Sequence, residues 1–203
     1  GFIEPVNGFL EKVKKQCERV GALLILDEIQ PGVGRTGKLF GFENYQCVPD
    51  ILVMGKGLGG GMPIGAFTAS REHMALLSNQ PKLGHITTFG GHPVIAAAAL
   101  ATLQEITETG LMQEALEKEQ LIRGRLKHPL IFEIRGKGLM LAAMTPSAEI
   151  TNEVILKCQD AGLILFWLLF EPKAIRITPP LTISKEEIIK GCDIILSVLD
   201  SLS

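Results

Sequence analysis

The sequence predicts an α/β fold in which a piece of a mostly parallel sheet is followed by a small α/β domain. Two short apolar runs, residues 23–26 and 51–54, have the unbroken hydrophobicity of strands buried on both faces, which is typical of parallel sheets. Stretches with helical spacing of apolar residues lie between such runs and after them. The pattern changes near residue 108, so we predict one domain over residues 1–107 and a second over residues 108–203.

The first domain begins with an amphipathic helix. Its apolar side chains recur at helical spacing, and Gly21 provides its C-terminal end. They are Phe9, Leu10, Val13, Cys17 and Val20. Strands are then predicted at residues 23–26, 51–54 and 64–69, and the second of them runs directly into a glycine-rich stretch at 55–61.

Helices and strands alternate in the remainder of the chain. His92 and Pro93 open an alanine-rich helix that continues to residue 103, because proline is favoured in the first helical turn. Residues 111–126 form a charged amphipathic helix. The other predicted elements are strands at 131–135, 139–144, 163–166 and 174–178, and helices through 150–158 and 188–199.

Composition excludes several classes of protein. The 203 residues include 20 Lys and Arg against 22 Asp and Glu, and this balance argues against a nucleic-acid-binding protein. No apolar run reaches the roughly 18 residues of a membrane span, so we expect no membrane partner. The four cysteines are widely spaced, and we interpret them as reduced, mostly buried thiols of a cytoplasmic protein. Clustered Cys and His are absent from the sequence, and we expect no metal site.

Polar residues suited to catalysis or ligand binding follow the first two predicted strands. Ligands of α/β proteins bind at the carboxyl ends of the strands. Asp27, Glu28 and Gln30 follow the first strand, and Lys56 follows the second between two glycines. Glycine lets a backbone approach a ligand closely, and partial burial of Lys56 would favour its uncharged amine, which is a nucleophile and a base. The alternative is an ordinary solvated lysine in a loop.

A G-x-G-x-x-G pattern at residues 32–37 offers a different interpretation. This pattern marks dinucleotide-binding sites when it joins a strand to a helix. Here acidic residues separate the strand from the pattern, and no helical spacing follows it. We therefore predict a turn-rich loop, and a nicotinamide-dependent oxidoreductase is a remote alternative.

Several blocks of the sequence closely resemble the class III aminotransferases, which are pyridoxal-phosphate enzymes of fold type I. The spacing between Asp27 and Lys56 fits that family, and the blocks run in order along the whole chain. The family more often has Asn where this chain has His92. The blocks are LLILDEIQ at 23–30, GRTGKLF at 34–40, PDI at 49–51, GKGLGGGMPIGA at 55–66, HITTFGGHP at 85–93, RGKGL at 135–139 and IRITPPL at 175–181.

The resemblance implies roles for five residues. Lys56 would hold pyridoxal 5'-phosphate covalently and carry a proton at the substrate α-carbon once a substrate amine displaces it. Asp27 would pair with the pyridine nitrogen and keep the ring an electron sink, and Gln30 would lie near the phenolic oxygen. Thr88 would reach the cofactor phosphate of the partner subunit in a homodimer. Arg176 would clamp a substrate carboxylate with a bidentate fork.

Each of these roles has a structural alternative. Asp27 is otherwise a cap or loop carboxylate, Gln30 a loop glutamine and Thr88 a turn hydroxyl. Arg176 is otherwise an arginine on the solvated face of a strand. We interpret His85 and His92 as structural residues and Glu28 as a support for the loop.

The resemblance implies an enzyme of amino-acid metabolism that exchanges an amino group between an amino-acid or ω-amine donor and a 2-oxo acid such as 2-oxoglutarate. The block around Arg176 is most similar to acetylornithine and ornithine aminotransferases. Aminotransferases for 4-aminobutyrate, lysine or diamines are alternatives. A non-catalytic binding protein of this fold is a remote one, because Lys56, Asp27 and Gln30 are all present.

The chain resembles the C-terminal half of these enzymes. In the family, the upstream half supplies a loop for the cofactor phosphate, an aromatic residue stacked on the ring, and several strands. We find no counterpart of these in the sequence. We therefore expect residues 1–203 alone to have little or no activity, and residues 108–203 to be the better-ordered part.

Overall fold

A computed structural model describes residues 1–82 and 84–202, which form two compact units. The N-terminal unit consists of Pro5–Gly34 and Lys38–Gly110. The C-terminal unit consists of Gly1–Glu4, Arg35–Gly37 and the chain from Leu111 onward. Three residues of the long loop after the first strand, Arg35–Gly37, thus belong to the C-terminal unit, whereas the residues before and after them belong to the N-terminal unit.

The N-terminal unit contains a three-stranded sheet of mixed direction. Helix α1 (Phe9–Val20) ends at Gly21, which has a left-handed φ of 71°. Strands β1 (Ile25–Asp27) and β2 (Ile51–Gly55) are parallel, and β3 (Gly65–Ala69) pairs antiparallel with β2. The sequence prediction of α1 and of three strands is confirmed.

Two helices complete this unit. The short helix α2 (Arg71–Ala75) begins after Ser70, whose side chain caps it. Helix α3 (Pro93–Glu108) has proline in its first turn, as predicted, and extends beyond the predicted end at residue 103.

The expectation that the first strand is buried on both faces is wrong. Leu24 is 7% exposed, whereas its neighbour Ile25 in β1 is 56% exposed. Successive side chains of a strand point to opposite faces of the sheet. Only one face of β1 is therefore covered by the described residues, and Phe67 in β3 is also exposed.

The C-terminal unit contains an antiparallel four-stranded sheet and three helices. The sheet order is β4-β5-β7-β6. The elements are α4 (Leu111–Arg125), β4 (Glu133–Lys137), β5 (Met140–Met144), α5 (Ala148–Asp160), β6 (Phe166–Leu168), β7 (Glu171–Ile177) and α6 (Lys185–Asp200).

Several strand boundaries in this unit differ from the prediction: β4 begins at Glu133 instead of residue 131, and β7 spans Glu171–Ile177 instead of 174–178. The hairpin turn predicted at residues 136–138 is shorter, because Gly136 and Lys137 stay in the ladder and pair with Leu141 and Met140. The strand predicted at 163–166 begins only at Phe166, because Leu163 and Leu165 pack against the core without joining the sheet.

The largest hydrophobic core lies between one face of this sheet and helices α4 to α6. All of the largest fully buried side chains belong to the C-terminal unit: Leu139, Leu141, Ile155, Ile175, Leu199, Val154, Thr145, Thr151 and Cys158. The two buried threonines share a hydrogen bond, since the hydroxyl oxygens of Thr145 and Thr151 are 2.7 Å apart. This core fixes the strand that carries Arg176.

The four cysteines, Cys17, Cys47, Cys158 and Cys192, are free thiols, and all but Cys17 are buried. Within the part of the chain that the structure describes, no helix is both long enough and apolar enough to cross a membrane.

Candidate active site

Asp27 and Lys56 lie at the ends of two adjacent parallel strands. Asp27 is the last residue of β1, and Lys56 directly follows β2. The register pairs Asp27 with Val53, and the strands run in the same direction, so both side chains lie at the carboxyl edge of the sheet. Both are exposed. The structure therefore brings together the carboxylate and the amine that the sequence singled out.

The backbone of Lys56 adopts a conformation that few lysines have. Its φ is 43°, in the left-handed region, and it starts a 3-10 turn over Lys56–Gly59. Such strain is found preferentially where a fold holds a functional side chain in place. Nothing in the sequence indicated this conformation. Lys56 is exposed, so the partial burial that would favour its uncharged amine is not present in the described chain.

The glycines after Lys56 allow helix α3 to approach the strand end. A Cβ atom at Gly60 would collide with Oγ1 of Thr102 in α3, and Gly60 has a left-handed φ of 56°. A Cβ at Gly59 would lie 3.0 Å from Cγ2 of Ile64. By contrast, a Cβ at Gly61 would meet nothing within 4 Å, so the turn is packed on one side and open on the other.

Asp27 is oriented by the loop that follows it. Its Oδ1 accepts a hydrogen bond from the backbone N–H of Ile29 at 2.9 Å. No other hydrogen bond to this carboxylate exists among the described residues, so Oδ2 is available to a ligand. Gln30 lies half-buried in the same loop.

Glu28 supports this loop, as the sequence predicted. Its side chain is buried, and its oxygens accept hydrogen bonds from the N–H groups of Gly41 at 2.8 Å and Phe42 at 2.7 Å. Burial raises the pKa of the Glu28 carboxyl above its ordinary value, although these two N–H groups oppose the shift. The carboxylate thereby closes the base of the loop that begins at Asp27.

Thr88 lies in an exposed segment of the N-terminal unit and forms no hydrogen bond with other described residues. The two histidines nearby have local contacts. Nδ1 of His85 lies 3.0 Å from the carbonyl oxygen of Leu77, and the ring of His92 tilts against that of Phe89 at 6.5 Å.

Arg176 lies on strand β7 of the C-terminal unit, on the face of the sheet opposite the core. The register places Ala142 and Phe166 beside it on the neighbouring strands. Arg176 is half-buried, and its Nε donates a hydrogen bond to Oγ1 of Thr178 at 3.1 Å. Its terminal nitrogens have no hydrogen-bond partner in residues 1–82 and 84–202.

An exposed amine and carboxylate at adjacent strand ends, beside an open glycine turn, define a site that suits an enzyme with a carbonyl-bearing cofactor. The sequence matches the Aminotransferase class-III family over residues 1–199. The chain therefore belongs to the class III aminotransferases, which are pyridoxal-phosphate-dependent enzymes of fold type I.

Two curated relatives illustrate the range of this family. The chain is 38% identical over 207 residues to the acetylornithine aminotransferase of Caldanaerobacter subterraneus subsp. tengcongensis, covering 100% of this chain and 51% of the relative. It is 43% identical over 194 residues to the putrescine aminotransferase of Pectobacterium atrosepticum, covering 92% of this chain and 41% of the relative. The chain thus spans about half the length of the curated relatives it matches.

Solved structures agree with this assignment. The ornithine aminotransferase from Toxoplasma gondii, which has partial occupancy of pyridoxal phosphate at its active site, superimposes with a TM-score of 0.86 at 31% identity. That match covers 97% of this chain and 47% of the other. The N-acetylornithine aminotransferase from Stenotrophomonas maltophilia has a TM-score of 0.84 at 30% identity, over 97% of this chain and 52% of the other.

The residues present fit this cofactor. Lys56 offers an exposed amine for the carbonyl group, and Asp27 offers a free carboxylate oxygen for the protonated ring nitrogen. Added Cβ atoms at Gly61 in the glycine turn and at Gly65 in β3 would meet nothing within 4 Å, so this side of the turn leaves space for a ligand beside Lys56.

Proposed function

We propose that this chain carries the catalytic lysine and the ring-binding carboxylate of a pyridoxal-phosphate-dependent aminotransferase. The observation that carries the proposal is the placement of Asp27 and Lys56 at the ends of adjacent parallel strands. Membership of the class III family supports it.

When bound, pyridoxal phosphate supplies a carbonyl group that reacts with amines and a ring that accepts electrons from the substrate. Nζ of Lys56 would hold the cofactor and, as a free amine, would take a proton from the substrate α-carbon. Asp27, oriented by the N–H of Ile29, keeps the proton on the ring nitrogen. Gln30 provides a hydrogen bond near the phenolic oxygen.

Thr88 is proposed to contact the cofactor phosphate of the second subunit in a homodimer. Its exposure, and its lack of a partner within the described residues, are consistent with a contact made outside this chain. The four free cysteines support a reducing compartment, and we propose the cytoplasm.

The substrates we propose are an amino donor and a 2-oxo acid acceptor such as 2-oxoglutarate. Arg176 binds a substrate carboxylate, which its unpartnered terminal nitrogens support. Donors of the acetylornithine and ornithine type are favoured by the relative at 38% identity over the full chain. A diamine donor is the second candidate, because the putrescine aminotransferase is 43% identical. Initial rates with N-acetylornithine, ornithine and putrescine, each against 2-oxoglutarate, separate these donors.

Chemical trapping tests the assignment of Lys56. The enzyme that contains this chain is loaded with pyridoxal phosphate, reduced with borohydride, digested and analysed by peptide mass spectrometry. We expect one cofactor-modified peptide, with the modification on Lys56, and none in Lys56→Ala. Modification of the exposed neighbour Lys38 serves as the control for non-specific labelling. A specific adduct on a different lysine would refute the proposal.

A further inference from the structure

Arg35 belongs to the C-terminal unit, although the residues on either side of Arg35–Gly37 in the sequence belong to the N-terminal unit. The N–H of Leu139 donates a hydrogen bond to the carbonyl oxygen of Arg35 at 2.9 Å. At Gly138, which has a left-handed φ of 60°, an added Cβ would collide with that same oxygen. The contact is therefore one of backbone on backbone, and only glycine allows it.

The side chain of Arg35 also binds the backbone of the C-terminal unit. Its Nη1 donates hydrogen bonds to the carbonyl oxygens of Leu139, at 3.2 Å, and of Pro179. Arg135 pairs with Glu133 and Glu171, but neither Arg35 nor Arg176 has a carboxylate partner among the residues the structure describes. Burial, and then the positive charge of Arg176, lower the pKa of the Arg35 guanidinium from its ordinary value.

Pro179 connects these contacts to Arg176. Arg176 is the penultimate residue of β7, and its Nε is held by the hydroxyl of Thr178. Thr178 directly precedes Pro179, whose carbonyl oxygen Arg35 holds. The position of the Thr178 hydroxyl therefore depends on a backbone segment that Arg35 anchors.

We propose that Arg35 is a positioning residue for Arg176, so that the terminal nitrogens of Arg176 face a substrate carboxylate. The inference rests on the proposed role of Arg176 as the carboxylate clamp. In this role Arg35 acts only through Arg176, whose planar guanidinium recognises carboxylates. The effect of Arg35 is therefore specific to substrates that carry a carboxylate.

The test compares variants of the holoenzyme that contains this chain, with 2-oxoglutarate and the carboxylate-free amine putrescine as probes. We expect Arg176→Ala to raise the KM for 2-oxoglutarate about 10- to 100-fold, since a charge-assisted pair is lost. Arg35→Ala should raise the same KM about 5- to 10-fold with little change in kcat. The spectroscopic dissociation constant of putrescine should not change in Arg35→Ala.

A double mutant isolates the coupling between the two arginines. Because Arg35 acts through Arg176, we expect Arg35→Ala to add nothing to Arg176→Ala. Thr178→Val removes the acceptor of Arg176 Nε while keeping the side-chain shape, and should reproduce the carboxylate-specific loss. Lys38→Ala, an exposed cation three positions from Arg35, is the matched control and should behave as wild type.

The outcomes separate the two hypotheses. If Arg176→Ala leaves the KM for 2-oxoglutarate unchanged, the clamp role and the inference that rests on it both fail. If Arg176→Ala weakens 2-oxoglutarate binding but Arg35→Ala has an additive effect, or weakens putrescine equally, the clamp stands and the positioning role is overturned. Should Arg35→Ala not fold by circular dichroism, Arg35→Lys and Thr178→Val give the same readouts, and wild-type KM values in both would overturn the inference.

Discussion

Asp27 and Lys56 have few contacts with the described chain, and this is what their proposed chemistry requires. Asp27 uses one oxygen to bind the N–H of Ile29 and keeps the other for a ligand. The adjacent Glu28 uses both oxygens on backbone N–H groups and is buried. The two consecutive carboxylates therefore have different roles: Glu28 holds the loop, and Asp27 has an oxygen available to the site.

Replacing Asp27 tests this division of roles. Asp27→Ala should leave pyridoxal phosphate bound through Lys56 but lower turnover on the order of 100-fold or more, because the ring nitrogen loses the carboxylate that keeps it protonated. Absorbance of the bound cofactor and kcat measure the two effects. Asp160→Ala, which removes an exposed carboxylate at the end of α5, is the control and should retain full activity. Near-normal turnover in Asp27→Ala would show that another group holds the ring nitrogen.

Single residues also show where sequence reasoning stops. The types and order of Asp27, Gln30 and Lys56 were visible in the sequence, because strand ends and glycines are local patterns. The left-handed backbone of Lys56 was not, because nothing in a lysine among glycines specifies φ. The contact of Arg35 with Pro179 spans 144 positions, and spacing patterns carry no information over that distance.

Among the elements, every strand and every helix except the short α2 was predicted, but several boundaries differ. Helix ends carry local signals, such as the capping box of Ser184 and Glu187 at the start of α6, but the predicted helix began only at residue 188. Strand boundaries depend on pairing partners elsewhere in the chain. Apolarity at residues 163–166 indicated burial, and Leu163 and Leu165 do pack on the core, but pairing begins at Phe166.

The packing of α3 on the glycine turn can be tested by substitution. Gly60→Ala should destabilise the protein by about 1–3 kcal/mol, because alanine is strained at this φ and its Cβ collides with Thr102 Oγ1. Gly61→Ala, also at positive φ but without a nearby atom, is the control for backbone strain and should cost less. Urea unfolding measures both. In a Thr102→Ala background the penalty of Gly60→Ala should shrink, and an unchanged penalty would contradict the collision.

Thiol labelling tests the packing of α5 and α6. Burial raises the pKa of Cys158 and of Cys192 to about 11, so neither thiol ionises or meets reagent readily at pH 8. We expect iodoacetamide to modify Cys17, which is only partly buried, well before these two. Peptide mass spectrometry over a time course provides the measurement, and labelling in urea is the control. Equal rates for Cys17 and Cys192 in the folded protein would contradict the core described for the C-terminal unit.

At the scale of the whole molecule, both units leave large apolar side chains exposed, although the main core lies within the C-terminal unit. The exposed side chains include Ile25, Phe67, Val94 and Leu100 in the N-terminal unit and Ile164, Leu169 and Phe170 in the C-terminal unit. Exposed apolar surface of this kind favours association. A polypeptide of residues 1–203 alone is therefore expected to self-associate, with the C-terminal unit giving the greater protection in hydrogen exchange.

The same polypeptide, tested alone, should have little or no aminotransferase activity even with saturating pyridoxal phosphate. It spans about half the length of its curated relatives, and the phosphate loop and ring-stacking aromatic expected of the family have no counterpart in its sequence. Asp27, Gln30 and Lys56 would contact one side of the cofactor, but an anion site at a helix N-terminus would be missing. Assays of residues 1–203 with N-acetylornithine, putrescine and 2-oxoglutarate check this, with the acetylornithine aminotransferase of Caldanaerobacter subterraneus as the positive control. Turnover near that of the control would show that these residues alone build a complete cofactor site.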